Sequence, residues 1–275
     1  MAGPTAVGKT AYAIELALEL GTEVLSCDSR QFYHEMRIGV ARPSETELST
    51  VRHHFIACRS VTAPYNIYEY NRDATQVAQK LIAEHGVAVA VGGSGMYIEA
   101  LSKGVSYLPD PAPELRAKLQ EMPLPEKQRQ LQQLDPGYYN RVDIHNPVRL
   151  QRALEVCLTA GRPYSQVLEE GKPIPPPFHV ETLVLQLEPA ELRKRINRRV
   201  DRMIDEGLLD EVESLLPYRE LPTLRTVGYS ELFPVLDGKV GLSEAVEQIK
   251  TNTWHYARKQ LTWFRKKTYR NTPTS

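Results

Sequence analysis

Gly3-Pro4-Thr5-Ala6-Val7-Gly8-Lys9-Thr10 decides the reading of this chain. The octapeptide fits G-x-x-x-x-G-K-[ST], the P-loop pattern, whose backbone N–H groups wrap linked phosphates. In that pattern Gly3, Thr5, Ala6, Val7 and Gly8 form the cradle, and Lys9 reaches the terminal phosphates. The Thr10 hydroxyl is placed to ligate Mg²⁺. Ala11 to Leu20 is strong helix material closed by Gly21, so the loop opens a helix whose N-terminal dipole also attracts anions. A loop of this kind follows a buried strand, yet only Met1 and Ala2 precede it. Either the start is trimmed or the sheet lacks the full length of its first strand.

Downstream of the helix, Glu23 to Asp28 reads as a short strand ending in a polar turn, Ser29-Arg30-Gln31. Open α/β sheets gather ligands at the carboxyl ends of their strands, which sets Asp28 beside the loop. On position alone Asp28 is either a site carboxylate or a turn aspartate bonding its own backbone. Ser44 to Glu47 looks helical. His53 and His54 are adjacent on an extended stretch and point to opposite faces, which favours core or turn histidines over a shared metal. Tyr70 to His85 reads as a helix closed by Gly86. Val87 to Val91 is a continuous apolar run suited to a strand buried on both faces. It ends in Gly92-Gly93-Ser94-Gly95, and a further helix starts at Met96. This second strand–glycine–helix junction sets the Ser94 hydroxyl at the same end of the sheet as the loop.

From Leu108 the texture changes: prolines cluster, and Glu114 to Leu134 is rich in Gln, Lys, Arg and Leu. We expect a helical insertion over residues 111–146 within a core made of 1–110 and 147–275. Asn146 is a suitable N-cap with Pro147 at the first helical position. Leu150, Ala153, Leu154, Cys157 and Leu158 then mark a buried stripe. Arg149 and Arg152 lie off it, on a face that is either solvated or a contact surface. Gly161 and Pro163 end the helix.

The remaining chain reads as a strand over Val180 to Leu187 and a helix over Pro189 to Glu206. That helix has Leu192, Ile196, Val200 and Met203 inward, and Arg193, Lys194, Arg195, Arg198, Arg199 and Arg202 outward. Leu208 to Leu216 forms another helix, Leu224 to Tyr229 a loop opening a helix near Ser230, and Ser243 caps the last long helix. Its polar side carries Lys250, Arg258, Lys259, Arg265, Lys266 and Lys267, with Trp254, His255 and Trp263 interleaved. Cations among aromatics suit nucleic acid, by phosphate pairing and base stacking, as well as an ordinary solvated helix end. Net charge gives no lead, since 34 basic residues balance 34 acidic ones. Three scattered cysteines without a C-x-x-C pair argue for a reducing compartment and against structural zinc. No apolar run approaches membrane-spanning length and no signal peptide is seen, so the chain reads as a soluble cytoplasmic protein.

Taken together, GPTAVGKT (Gly3 to Thr10), DSRQFY (Asp28 to Tyr33), RHHFI (Arg52 to Ile56), VGGSGMY (Val91 to Tyr97), RLQRALEV (Arg149 to Val156), RTVGYSEL (Arg225 to Leu232) and YARKQLTWFR (Tyr256 to Arg265) resemble the tRNA dimethylallyltransferases. The loop alone is widely shared; DSRQ, GGSGMY and RKQLTWFR together are far narrower. The resemblance implies an α/β fold, a P-loop NTPase-like parallel sheet flanked by helices, with an inserted helical lobe that grips the anticodon arm. It implies that the loop holds dimethylallyl diphosphate rather than ATP, with Mg²⁺ at Thr10. Asp28 is then the base for the adenine amine, Ser94 a hydroxyl at the reacting centre, and Arg225 a cation on the leaving group. The tRNA contacts it implies are Asp28, Ser29, Arg30, Gln31, Ser94, Arg116, Val148, Arg149, Leu150, Gln151, Arg152, Arg258 and Lys266. Val148 stands where the family usually has glutamine, which removes one polar contact. Such a protein would act without a membrane and as a monomer.

Two other classes compete. A P-loop kinase of a small metabolite would use Asp28 toward a hydroxyl, but the chain offers no arginine-rich lid and gives the basic, aromatic last helix nothing to do. A non-catalytic RNA-binding protein leaves Lys9, Thr10 and Asp28 without a purpose.

Overall fold

A computed structural model of the chain describes residues 1–63, 65–265 and 270–273. The chain forms two compact units, one of residues Met1–Ser102 and Pro176–Ser275, the other of Lys103–Pro175.

The larger unit is built on parallel strands. After α1 (Lys9–Glu19) comes β1 (Val24–Ser26), then α2 (Glu45–Thr50), β2 (His53–His54), α3 (Ile67–His85), β3 (Val89–Val91) and α4 (Gly95–Lys103). The three strands pair in the order β2-β1-β3, Val24 opposite both His53 and Val89. The expected first strand is present as two residues. Met1 O accepts from Gly92 N (3.1 Å), Ala2 N donates to Leu183 O (2.8 Å), and Leu185 N donates to Ala2 O (2.9 Å). Residues 1–2 thereby join β3 to the strand at Leu183–Gln186 and set the P-loop in the middle of the parallel array.

Capping boxes start two of the helices: Ser44 with Glu47 opens α2, and Asn66 with Glu69 opens α3 three residues before the expected Tyr70. Fully buried Tyr70 donates to Ser26 O (3.0 Å) and Cys27 Sγ (3.0 Å), fastening α3 to the end of β1. Its ring stacks on Phe32 at 5.3 Å and meets Tyr97 edge-on at 5.0 Å, so an aromatic cluster backs the turn that carries Asp28.

The smaller unit holds α5 (Pro113–Glu121), α6 (Leu124–Leu134), α7 (Pro136–Tyr139), α8 (Pro147–Ala160) and α9 (Tyr164–Glu170). Leu119, Leu131, Leu150, Ala153, Leu154 and Cys157 make its core. The insertion is therefore longer than 111–146. Asn146 caps α8 as expected, but α8 buries its stripe against α5 and α6 instead of returning to the sheet. Two positions on α8 also differ: Leu158 is 39% exposed, and Glu155 is buried.

The larger unit then resumes with β4 (Leu183–Gln186), α10 (Pro189–Asp205), α11 (Leu208–Ser214), α12 (Phe233–Leu236), α13 (Leu242–Arg265) and β5 (Arg270–Pro273), which pairs parallel with β4. Leu192, Ile196, Val200 and Met203 are buried along α10 as their spacing predicts. Ser243 lies inside the first turn of α13 and does not cap it, and the helix near Ser230 is confined to Phe233–Leu236.

Candidate active site

The loop takes the form its glycines allow. Gly3 (φ 145°) and Gly8 (φ 102°) occupy backbone regions that disfavour side chains, and a Cβ on Gly3 would meet Leu185 O at 2.8 Å. Ala6 (φ 64°) enters the left-handed region without that freedom. No side chain caps α1, which leaves its leading amides without a side-chain acceptor, an arrangement suited to anions.

A cavity of about 1010 Å³ opens on this loop. Thr5, Lys9, Thr10, Asp28, Gln31, Gly93, Arg199, Tyr256 and Gln260 are among its walls. Lys9 Nζ donates to Pro4 O (2.7 Å). Burial, then the Arg199 guanidinium, lowers Lys9 to about 7, with Asp28 opposing. Arg199 donates to Thr5 Oγ1 (3.3 Å), and its own burial brings it down to about 10. Two cations crowded this closely call for an anion between them.

The second glycine junction is tied to the loop by one amide side chain. Gln260 of α13 accepts from Thr5 N (2.8 Å) and donates to Gly93 O (2.8 Å); it is buried, and a Cβ on Gly93 would collide with it. Ser94 Oγ accepts from Ser29 N (3.2 Å) and donates to Ser29 Oγ (3.3 Å), which locks the two expected site turns together. Tyr256 opens 43% of its surface, yet desolvation, then Asp28, pushes its phenol up to about 12, against a hydrogen bond with Ser94. Asp28 Oδ1 accepts from Arg30 N (3.0 Å). Asp28 is thus a turn-former through one oxygen and also lines the cavity.

The far rim is the segment Arg37 to Ser44. Gln31 Nε2 donates to Ala41 O (3.1 Å) from one side. On the other side Glu211 of α11 accepts from Arg37 N (3.1 Å), Ile38 N (2.7 Å), Gly39 N (3.1 Å) and the Tyr229 hydroxyl (2.6 Å). Burial, then Glu211, raises the Tyr229 phenol far above its ordinary value.

Arg225 is not among the residues that line this cavity. The turn Pro222–Leu224 buries Thr223 and Leu224, and the next residue leaves with its side chain 56% exposed and its guanidinium on Glu220. Arg199, with Arg195 and Arg202, lines the cavity instead. The signal for this was their i, i+4, i+7 spacing on α10, read from sequence only as a charged outer face. Tyr256 and Gln260 were likewise quoted only inside a longer motif.

In the smaller unit Val148 is 74% exposed and Arg149 is exposed, whereas Leu150 is fully buried in the core and its side chain has no surface to offer tRNA. Arg116, Gln151 and Arg152 converge on Glu155. On α13, His255, Arg258, Lys259, Thr262 and Trp263 border a second, shallow cavity of about 410 Å³, cationic and aromatic as the sequence suggested. Trp254 spends its ring on Arg193, 5.9 Å from the centroid. Lys266 lies outside the described residues. The two histidines have separate partners: His54 Nε2 bonds Glu23 Oε2 (2.5 Å) and His53 Nδ1 lies 2.8 Å from Val51 O; among the described residues no group of three metal-binding side chains occurs. Among the same residues no helix is long and apolar enough to cross a membrane.

Comparison with known proteins places this geometry. Residues 31–267 match the family model described as IPP transferase. A tRNA dimethylallyltransferase of Christiangramia forsetii is 44% identical over 96% of this chain and 88% of its own length. The tRNA dimethylallyltransferase 1 of Bacteroides thetaiotaomicron is 42% identical over 96% and 87%. Among solved structures, the full-length tRNA isopentenylpyrophosphate transferase of Bacillus halodurans matches 99% of this chain and 88% of its own, at 32% identity and a TM-score of 0.70. A eukaryotic dimethylallyltransferase acting on tRNA shares the fold at a TM-score of 0.81 and 23% identity, with 99% and 72% covered.

Proposed function

This chain belongs to the IPP transferase family, and from that premise we propose that it is a tRNA dimethylallyltransferase. It moves a dimethylallyl group from dimethylallyl diphosphate to N6 of the adenine that follows the anticodon, releasing pyrophosphate. The observation that carries this reading is one cavity holding both an anion cradle and a carboxylate.

In this reading the P-loop amides, Lys9 and Arg199 hold the diphosphate, and the negative charge that grows as its C–O bond breaks meets donors already in place. The adenine amine attacks the allylic carbon, and Asp28 takes the amine proton as the C–N bond forms. Ser94 is fixed on Ser29, the residue that follows that carboxylate in the chain. Adenine must leave its stack to enter, so base flipping accompanies binding. Thr10 supplies a hydroxyl oxygen to the cavity, a hard donor that suits Mg²⁺. When bound, Mg²⁺ neutralises part of the diphosphate charge. Arg199 takes the leaving-group role that the resemblance gave to Arg225.

Asp28→Ala tests the assignment. We expect turnover to fall by about 10²–10⁴-fold, with tRNA affinity within about twofold of wild type. Equal losses in binding and turnover would make Asp28 a structural turn residue and remove the base.

A further inference from the structure

Glu155 sits in the middle of α8, beside the apolar stripe and not in it, yet only 6% of its side chain is exposed. A buried carboxylate in such a place must be paired and hydrogen-bonded to persist. Gln151 Nε2 donates to Oε1 (3.1 Å), Arg152 Nη1 to Oε2 (3.2 Å), and Arg116 Nε approaches Oε1 at 3.7 Å. Gln151 is held in turn, its Oε1 accepting from Lys127 Nζ (3.3 Å), and Lys127 is itself buried. Two guanidiniums from two helices, α5 and α8, are thereby aimed by one fixed anion.

A second carboxylate lies between them, met by Arg116 through Nη2 and by Arg152 through the same Nη1 that bonds Glu155, while Arg152 Nη2 donates to Leu108 O (3.5 Å). Asp110 Oδ1 stands 3.5 Å from Arg116 Nη2 and 3.9 Å from Arg152 Nη1. Its side chain is 60% exposed, against 6% for Glu155. Exposed pairs at these separations are weak and exchange readily. Guanidinium forks match phosphate oxygens as well as they match carboxylates.

Arg116 and Arg152 are the tRNA contacts that the resemblance implies; we propose that they act together on one backbone phosphate, that Glu155 is their positioning residue, and that Asp110 is an internal stand-in which that phosphate displaces. With Asp110 swung aside, Arg116, Arg152 and Lys127 face one carboxylate, and the phosphate restores the balance. The inference rests on the reading that this chain binds tRNA.

The two carboxylates make a test with opposite signs. Asp110→Asn and Glu155→Gln each remove one negative charge, so general electrostatics moves both toward tighter tRNA binding. The site requires them to diverge: by fluorescence anisotropy with unmodified tRNA, Asp110→Asn tightens binding about threefold, and Glu155→Gln weakens it about tenfold. In an Arg116→Ala/Arg152→Ala background, Asp110→Asn gives no gain. Tightening by both variants, or a gain from Asp110→Asn that survives loss of the arginines, overturns the proposal. If Glu155→Gln does not fold, the Asp110 cycle alone decides. A wild-type protein that fails to bind tRNA sinks the functional reading and this inference with it; binding with same-sign shifts sinks only the inference.

Discussion

Lys9 shows how far a single residue's setting governs the chemistry. Its ammonium donates to Pro4 O and lies close enough to Arg199 that burial and repulsion lower it to about 7. A diphosphate binds the ammonium and not the amine, and its charge raises Lys9 again. The sign follows: donor affinity is greatest below pH 7 and falls by up to about tenfold per unit as pH rises through that value. At pH 8, calorimetry in two buffers of different protonation enthalpy should find close to one proton taken up per donor bound. Lys9→Met should abolish that uptake; uptake retained in the variant would assign the proton elsewhere. The placement of Lys9 and Asp28 on the cavity, and of Ser94 against the Asp28 turn, was legible in the sequence because each belongs to a short run whose backbone does the placing. Arg199 and Gln260 were not, since residues so far from the loop along the chain reach it only through packing of α10 and α13. Arg225 shows the converse: its role came from the resemblance alone, and the turn before it sends it to Glu220.

At the level of elements, α10 combines two jobs in one helix. Leu192, Ile196, Val200 and Met203 bury one face, which fixes the rotation that turns Arg195, Arg199 and Arg202 to the cavity. The rim opposite is fastened by α11, where one Glu211 carboxylate satisfies three successive amides and a tyrosine hydroxyl. Glutamine at 211 keeps the shape but puts a donor where one carboxylate oxygen accepts. We expect Glu211→Gln to lower stability by about 1–2 kcal/mol. Amide exchange at residues 37–39 should rise, and donor KM should increase while tRNA affinity holds. Unchanged exchange at these amides would mean the rim is held by Gln31 and packing alone. β1, β3 and β4 were readable from their apolar runs, but the two-residue first strand and β5 were not. The first strand's place depends on hydrogen bonds to Gly92, Leu183 and Leu185, which no local pattern announces.

For the whole molecule, the division into two units follows from where apolar stripes find partners. The sequence marked the insertion by its change in texture. Its far boundary was placed too early, because the stripe on α8 reads the same whether it packs on helices or on a sheet. Glu155 was hidden because it lies off that stripe, where periodicity predicts an exposed residue and cannot show that ion pairs bury it. The larger unit's cationic, aromatic surface on α13 gives a further expectation. Arg258→Ala should weaken tRNA binding about equally across sequences and reduce the salt slope by about one; an unchanged slope would remove that helix from the phosphate contacts. The central claim is that the P-loop carries an allylic diphosphate for alkylating RNA. Its most direct test gives the full chain unmodified tRNA with A-A-A after the anticodon, Mg²⁺, and in parallel labelled dimethylallyl diphosphate or γ-labelled ATP. The account predicts label from the first donor at N6 of that adenine and none transferred from ATP; no label entering tRNA with folded protein, or phosphoryl transfer from ATP, would contradict it.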